Sequence, residues 1–216
     1  MSNRSDDHLR DVFAAIDAAN ADDPRRDMLD GVEMPFEQVY SRRLLARLMA
    51  IYPDAPEVLK IAAFGQHLRR FDIARADYPP GRKGYNQWRR ACREHHAEQL
   101  AAIMARHGYP EEDIARARKL VRKQELKRDR LSQALEDAVD VLFLEHYLQP
   151  FIDKYASYDE DKLIGIIAKT LLKMSPRGHA AALALDLPAA HRELIERAME
   201  REREKLEKLA QGDVGW

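Results

Sequence analysis

At 216 residues, 45% hydrophobic and 34% charged, the chain is long enough to bury a core and short enough for one domain with an appendage. It has no apolar run near the ~20 residues of a membrane helix and no apolar secretory signal at its start. Its one cysteine, Cys92, excludes a disulfide framework or a cysteine-rich zinc site, so a soluble, cytoplasmic protein is expected. The net charge of −1 conceals an asymmetry: His67 to Arg130 holds 17 Lys+Arg against 9 Asp+Glu, and the rest 19 against 28. A basic middle fits either an anionic ligand there or an unevenly charged, solvated helical surface.

In chain order, residues 8–20 carry an amphipathic stripe of Leu9, Val12, Phe13 and Ile16, so a helix is expected. "NADDPRRDMLDGVEMP" reads as a polar connection. A second helix from Phe36 presents Val39, Tyr40, Leu44, Leu48 and Ile51, and Pro53 ends it. Pro56 opens a third, apolar helix that runs to His67. Pro79-Pro80-Gly81 then forbids regular helix. A long fourth helix follows from Lys83 to His107, with Gly108 past its end, and a fifth from Pro110 to Lys123 opens on Glu111-Glu112-Asp113. Leu131 to Tyr155 reads as one buried helix, and further helices are expected over 159–173 and 176–186, the last opened by Ser175-Pro176. The segment "HRELIERAMEREREKLEKLAQ" is a charged helix. No GxxxxGK[ST] or GxGxxG loop is present, which counts against the common nucleotide-binding folds.

The fourth helix carries the most suggestive face. Tyr85, Arg89, Cys92 and His96 fall at i, i+4, i+7 and i+11, with Trp88 on the flank. Singly, each is explained as a core aromatic, a snorkelling arginine, a small buried thiol or a satisfied histidine. Together they make a face too polar for simple packing. His67 closes an apolar helix before Arg69 and Arg70. On the fifth helix, Arg118/Arg122 and Lys119/Lys123 are like-charge i,i+4 pairs that need solvent or an anion. Glu136, Asp137 and Asp140 lie in an otherwise apolar helix, so a cationic partner, a metal or a hydrogen-bonded network is required around them.

Two resemblances rest on longer blocks. "YSRRLLARLMAIYPDAPEVLKIAAFGQHLRR", "HHAEQLAAIMARHGYPEEDIARARKLV" and "LEDAVDVLFLEH", spanning about Phe36 to Leu148, resemble the HD-domain phosphohydrolases. That resemblance implies an all-α, HD-domain-like helical bundle whose His and Asp side chains converge on a metal. The chain departs from the pattern: Tyr40 stands where the first His would be and Gln66-His67 where His-Asp would be, leaving His96 and either Asp137 or Asp140. "IDAANADDP", "AFGQHLRR", "DYPPGRKGYNQWR", "HHAEQL", "LEDAVDVLFLEH" and "KMSPRGHAAALAL" resemble domain-of-unknown-function family 4202, from about Ile16 to Leu187. This second resemblance implies that His67, Arg70, Tyr78, Arg82, Tyr85, Trp88, Arg89 and His96 form one unit.

The expectation is thus a single HD-like helical domain over 1–187, followed by a charged C-terminal helix and tail over 188–216. Function is expected at a pocket for an anionic, phosphorylated or nucleotide-like small molecule. Arg70, Arg82, Arg89 and Lys123 would bind the anion, Tyr85 and Trp88 would stack on a ring, and Gln66 would line the site. His67 or His96 would act as general acid or base, with Asp137 or Glu136 orienting a histidine or an arginine. Any chemistry would be metal-independent hydrolysis or transfer of a phosphate ester. Two rival readings are a non-enzymatic helical module binding an acidic protein or RNA, and a residual phosphohydrolase holding a divalent metal on His67, His96 and an acidic residue.

Overall fold

The computed structural model describes residues 3–212; the chain ends expected in the first domain and in the tail, 1–2 and 213–216, lie outside the described residues. Among the described residues the chain is all-α apart from one small hairpin. No helix among them is long and apolar enough to cross a membrane. The chain divides into two compact units, residues 1–46 with 54–124, and residues 47–53 with 125–216.

The first unit begins with α1 (Asn3–Asn20). The segment expected as a polar connection is instead a β-hairpin, β1 (Arg26–Leu29) paired antiparallel with β2 (Val32–Pro35). Leu29 faces Val32 across a two-residue Asp30-Gly31 turn, and both turn residues take positive φ (50° and 80°). That is the hairpin turn whose twist matches a strand pair, and Asp-Gly is its sequence mark. Next come α2 (Phe36–Ile51) and α3 (Glu57–Phe64). α3 ends three residues earlier than expected, so His67 lies in a turn beyond the helix.

Two short 3-10 turns, Arg70–Asp72 and Arg75–Asp77, lead into α4 (Gly81–Arg106). Arg75 clamps the proline loop by donating to the carbonyls of Tyr78 and Pro79, at 2.9 and 3.1 Å. The Pro79 carbonyl lies so near Gly84 that a Cβ there would stand 1.8 Å from its oxygen, a contact only glycine permits. α5 (Glu111–Val121) packs against α3 and α4. Leu59, Leu100, Met104 and Leu120 are fully buried in this unit.

The second unit holds α6 (Arg130–Leu142), α7 (Leu148–Lys154), α8 (Glu160–Leu171), α9 (Pro176–Leu183), α10 (Ala189–Arg201) and α11 (Arg203–Gln211). The single helix expected over 131–155 is interrupted by a π-turn at Phe143–Tyr147. Pro150 supplies the reason: it has no N–H for the carbonyl one turn back, and a widened turn just before it relieves the clash. Asp129, Asp159 and Ser175 cap α6, α8 and α9 through side-chain bonds to Ser132, Lys162 and Gly178 N–H groups. The described part of the charged segment, 188–212, belongs to this unit. α10 packs on α8 and carries Arg197 and Arg201 to ion pairs with Glu160 and Asp161.

The acidic face of α6 has the cation and the network that its burial demands. Lys173 Nζ lies 2.8 Å from Glu136 and 2.5 Å from Asp140. Asp137, fully buried, accepts from the Tyr52 and Ser175 hydroxyls (both 2.5 Å), the Ser175 N–H (2.8 Å) and Gln133 (2.9 Å). Burial first, and then the Asp137 charge, push the Tyr52 phenol well above its usual range, so it remains a donor.

Asp137→Asn places an amide among these donors, and its loss of stability is expected on the order of 3 kcal/mol. Gly178→Ala strains the same network, because its Cβ would stand 2.7 Å from Asp137 Oδ1. Urea unfolding of both variants checks this; unchanged midpoints would show the network to be dispensable.

Candidate functional site

The hairpin explains where the first unit's polar cluster comes from. Phe36 N–H donates to the Arg25 carbonyl (3.0 Å), which closes the loop that the hairpin spans. Asp23, fully buried, accepts from Arg25 Nε (3.0 Å) and Nη2 (2.8 Å) and from the Glu37 N–H (3.2 Å). Arg25 thereby reaches the Glu37 carboxylate, 2.5 Å from Oε1, with its guanidinium 4.6 Å over the Phe36 ring. Glu37 is itself fully buried, and burial raises its carboxyl above the usual range against the opposing pull of Arg25.

The other carboxylate oxygen of Glu37 faces His67. Nδ1 and Oε2 are 3.3 Å apart, both atoms are buried, and the pair is not aligned as a hydrogen bond. Tyr40, one turn along α2, stacks on the imidazole with centroids 3.9 Å apart. At the opposite nitrogen, Arg70 Nη1 lies 3.2 Å from His67 Nε2. A guanidinium only donates, so Nε2 holds the lone pair and Nδ1 carries the proton toward Glu37. The backbone supports this placement: Arg69 turns the chain with φ 52°, and its N–H donates to Asn20 Oδ1 at 2.8 Å.

His96 lies 5.8 Å from His67, centroid to centroid. Its Nδ1 donates to the Leu68 carbonyl at 2.8 Å, so its Nε2 is an acceptor, and that atom is buried without a partner. Gln66, buried beside them in sequence, likewise has an unmatched Oε1. Both imidazoles are held neutral. Burial, followed by Arg70, Lys123, Arg89 and Arg25, takes His67 well below its ordinary value, and burial with His67 beside it lowers His96 to about 3.

The stripe along α4 thus runs from solvent into the core. Tyr85 and Arg89 are exposed, Trp88 is half-buried, and Cys92 and His96 are buried. Trp88 is fixed by its Nε1–H to the Ile73 carbonyl (2.9 Å) and lies under the Arg70 guanidinium at 4.6 Å. Arg89 stands 5.8 Å from the Tyr85 ring centroid. Arg82 is exposed in the first turn, about 9 Å along the axis before Trp88. Lys123, at the end of α5 with φ 58°, joins the group through its field at His67.

His67, Arg70, Trp88 and His96 therefore share one neighbourhood, and Gln66 adjoins His67 in the chain. Arg89 and Lys123 bear on it through their charge, Tyr85 lies beside Arg89, and Arg82 lies farther toward the start of α4. Asp137 belongs to the second unit and is taken up by Tyr52, Ser175 and Gln133; the carboxylate beside the histidine is Glu37. Glu37 and Arg25 carry no sequence mark of this role. Glu37 reads as a first-turn acid on α2, and the Asp-Gly hairpin signal was the one available clue. The Arg118/Arg122 pair of α5 is matched by acids: Arg122 by Glu94 and Glu98 (2.7 Å each), and Arg118 by Glu98 and Glu111 at 3.4 and 3.2 Å. The cluster's makeup counts against a metal: His67 stands in cationic surroundings, and the described residues hold no group of three His, Cys, Asp or Glu arranged for an ion.

A lowered histidine value means that the unfolded chain binds more protons below 6.5 than the folded one does. Stability is therefore expected to fall as pH drops from 6.5, at up to about 1.4 kcal/mol per unit for His96. Glu37 acts in the opposite sense in the region above 4.5, so the measurement belongs between pH 7.5 and 5.5. Urea midpoints over that range should decline in the parent and decline less steeply in His96→Gln, where His67 alone of the two keeps the effect.

No curated protein and no solved structure matches this chain. The family model described as a domain of unknown function, DUF4202, matches residues 10–195, and the chain belongs to that family.

Proposed function

We propose that the first unit binds a phosphorylated small molecule at the His67 cluster and carries out phosphate-ester chemistry there without a metal. The observation that carries this reading is the contact of Arg70 Nη1 with His67 Nε2 at 3.2 Å, with the Arg70 guanidinium lying over Trp88 and Arg89, Lys123 and Arg25 adding positive charge around the same imidazole. Arg25 is occupied by Asp23 and Glu37. Arg70 and Arg89 rest on aromatic faces, an arrangement that leaves guanidinium edges open to phosphoryl oxygens. Tyr85, 43% exposed, supplies a flat surface for a base or sugar next to Arg89.

A second reading draws on a different observation. The first turns of α4 expose Arg82, Lys83, Tyr85, Arg89 and Arg90, a basic strip suited to an acidic protein or RNA. Binding to such a strip would weaken steeply with salt and tolerate many sequences.

Thermal-shift measurements with inorganic phosphate, nucleoside monophosphates and sugar phosphates test the first reading. A ligand at 100 times its Kd adds about 2.7 kcal/mol, read as roughly 2–4 °C per kcal/mol. The shift should vanish in Arg70→Ala and shrink in Arg89→Ala. No shift with any of these compounds, or one untouched by both substitutions, would overturn it.

A further inference from the structure

We infer that His67 Nε2 is a nucleophile that accepts the phosphoryl group of its substrate, forming a transient phosphohistidine, and that Glu37 is the residue that positions it. This rests on the reading of the cluster as a phosphate-ester site. The ring is built for reaction at one nitrogen. Tyr40 covers one face, and Nδ1 is buried against Glu37. The exposed fifth of the side chain (21%) therefore belongs to other atoms than Nδ1. The contact with Arg70 Nη1 identifies Nε2 as the lone-pair nitrogen and sets an anion-binding group directly beside it.

Two roles are open to a histidine so placed, and the surroundings decide between them. A general base works best with a proton affinity near the working pH. Burial and three cations besides Arg25 keep His67 far below that, which suits it poorly to taking a proton from water or an alcohol. The same neutrality keeps a free electron pair on Nε2 at pH 7, as a nucleophile requires. Arg70 lies at the nitrogen itself, where a phosphoryl group bonded to Nε2 would bring its negative oxygens.

In the first step the Nε2 pair attacks phosphorus of a phosphate monoester or acyl phosphate. The N–P bond forms as the bond from phosphorus to the leaving oxygen breaks, and that oxygen departs with the electron pair, taking a proton from solvent where it is basic. Arg70 turns its N–H from the nitrogen to a phosphoryl oxygen. The ring is positive while Nδ1 keeps its proton, and Glu37 lies 3.3 Å away to balance it. In the second step water attacks phosphorus, the N–P pair returns to Nε2, the water proton passes to solvent and inorganic phosphate leaves.

The full chain is incubated with p-nitrophenyl phosphate and with acetyl phosphate, quenched in base and mapped by mass spectrometry. A gain of one phosphoryl group on His67, stable in base and lost in acid, is expected. His67→Gly, checked for folding by circular dichroism, should lose it, and added imidazole should restore p-nitrophenolate release with N-phosphoimidazole appearing by phosphorus NMR. Phosphate-dependent thermal stabilisation with neither phosphohistidine nor imidazole rescue would overturn the nucleophile while leaving the binding reading standing. Absence of both the stabilisation and the adduct would overturn the two together.

Discussion

A carboxylate buried away from water is among the costliest groups a small protein can hold, and Glu37 is such a group. Its presence dictates much of the first unit. It needs a cation, and Arg25 meets that need only because the chain from Asp23 to Phe36 folds back on itself as a hairpin. Asp23 then neutralises the rest of the guanidinium and holds the start of α2 through the Glu37 N–H. With one oxygen satisfied on this side, the other is turned toward His67. The hairpin is thus less a connection than the device that makes a charged residue tolerable under the imidazole.

The same economy of charge governs the imidazole. Tyr40, Glu37 and Arg70 define its face, its protonated edge and its lone-pair edge. A cation at the lone-pair edge and burial around the ring both disfavour protonation. Trp88 and Tyr85 lie against the flat faces of Arg70 and Arg89, and among the described residues neither arginine is held in a salt bridge. On α5 the opposite holds: Arg118 and Arg122 are matched by Glu94, Glu98 and Glu111, and that ladder reads as structural. The distinction between cations that are spent and cations that remain effective locates the site better than any count of basic residues.

The second unit solves a related problem by another route. Among the described residues no cation pairs with Asp137; its charge is spread over two hydroxyls, a backbone N–H and an amide. Glu136 and Asp140 on the same helix share Lys173. These acids lock α6, the Ser175 cap of α9 and Tyr52 together, which gives them an architectural role.

Much of this was legible in the residues themselves. Periodic apolar positions mark the helices, Pro56, Pro79-Pro80 and Gly108 mark their limits, and Ser175-Pro176 marks the start of α9, because these are local effects of backbone geometry. The need for a partner on Asp140 was legible too, since the cost of burying charge does not depend on fold. The tyrosine–arginine–histidine stripe of α4 followed from helical spacing alone. What spacing could not reveal was which carboxylate reaches the histidine. Glu37 lies 30 residues before His67 and Asp137 70 after it, and both look alike in a linear chain. Only tertiary packing, through a two-residue turn and a left-handed residue at Arg69, decides that Glu37 is the neighbour, because contacts between distant residues are set by how elements close on one another.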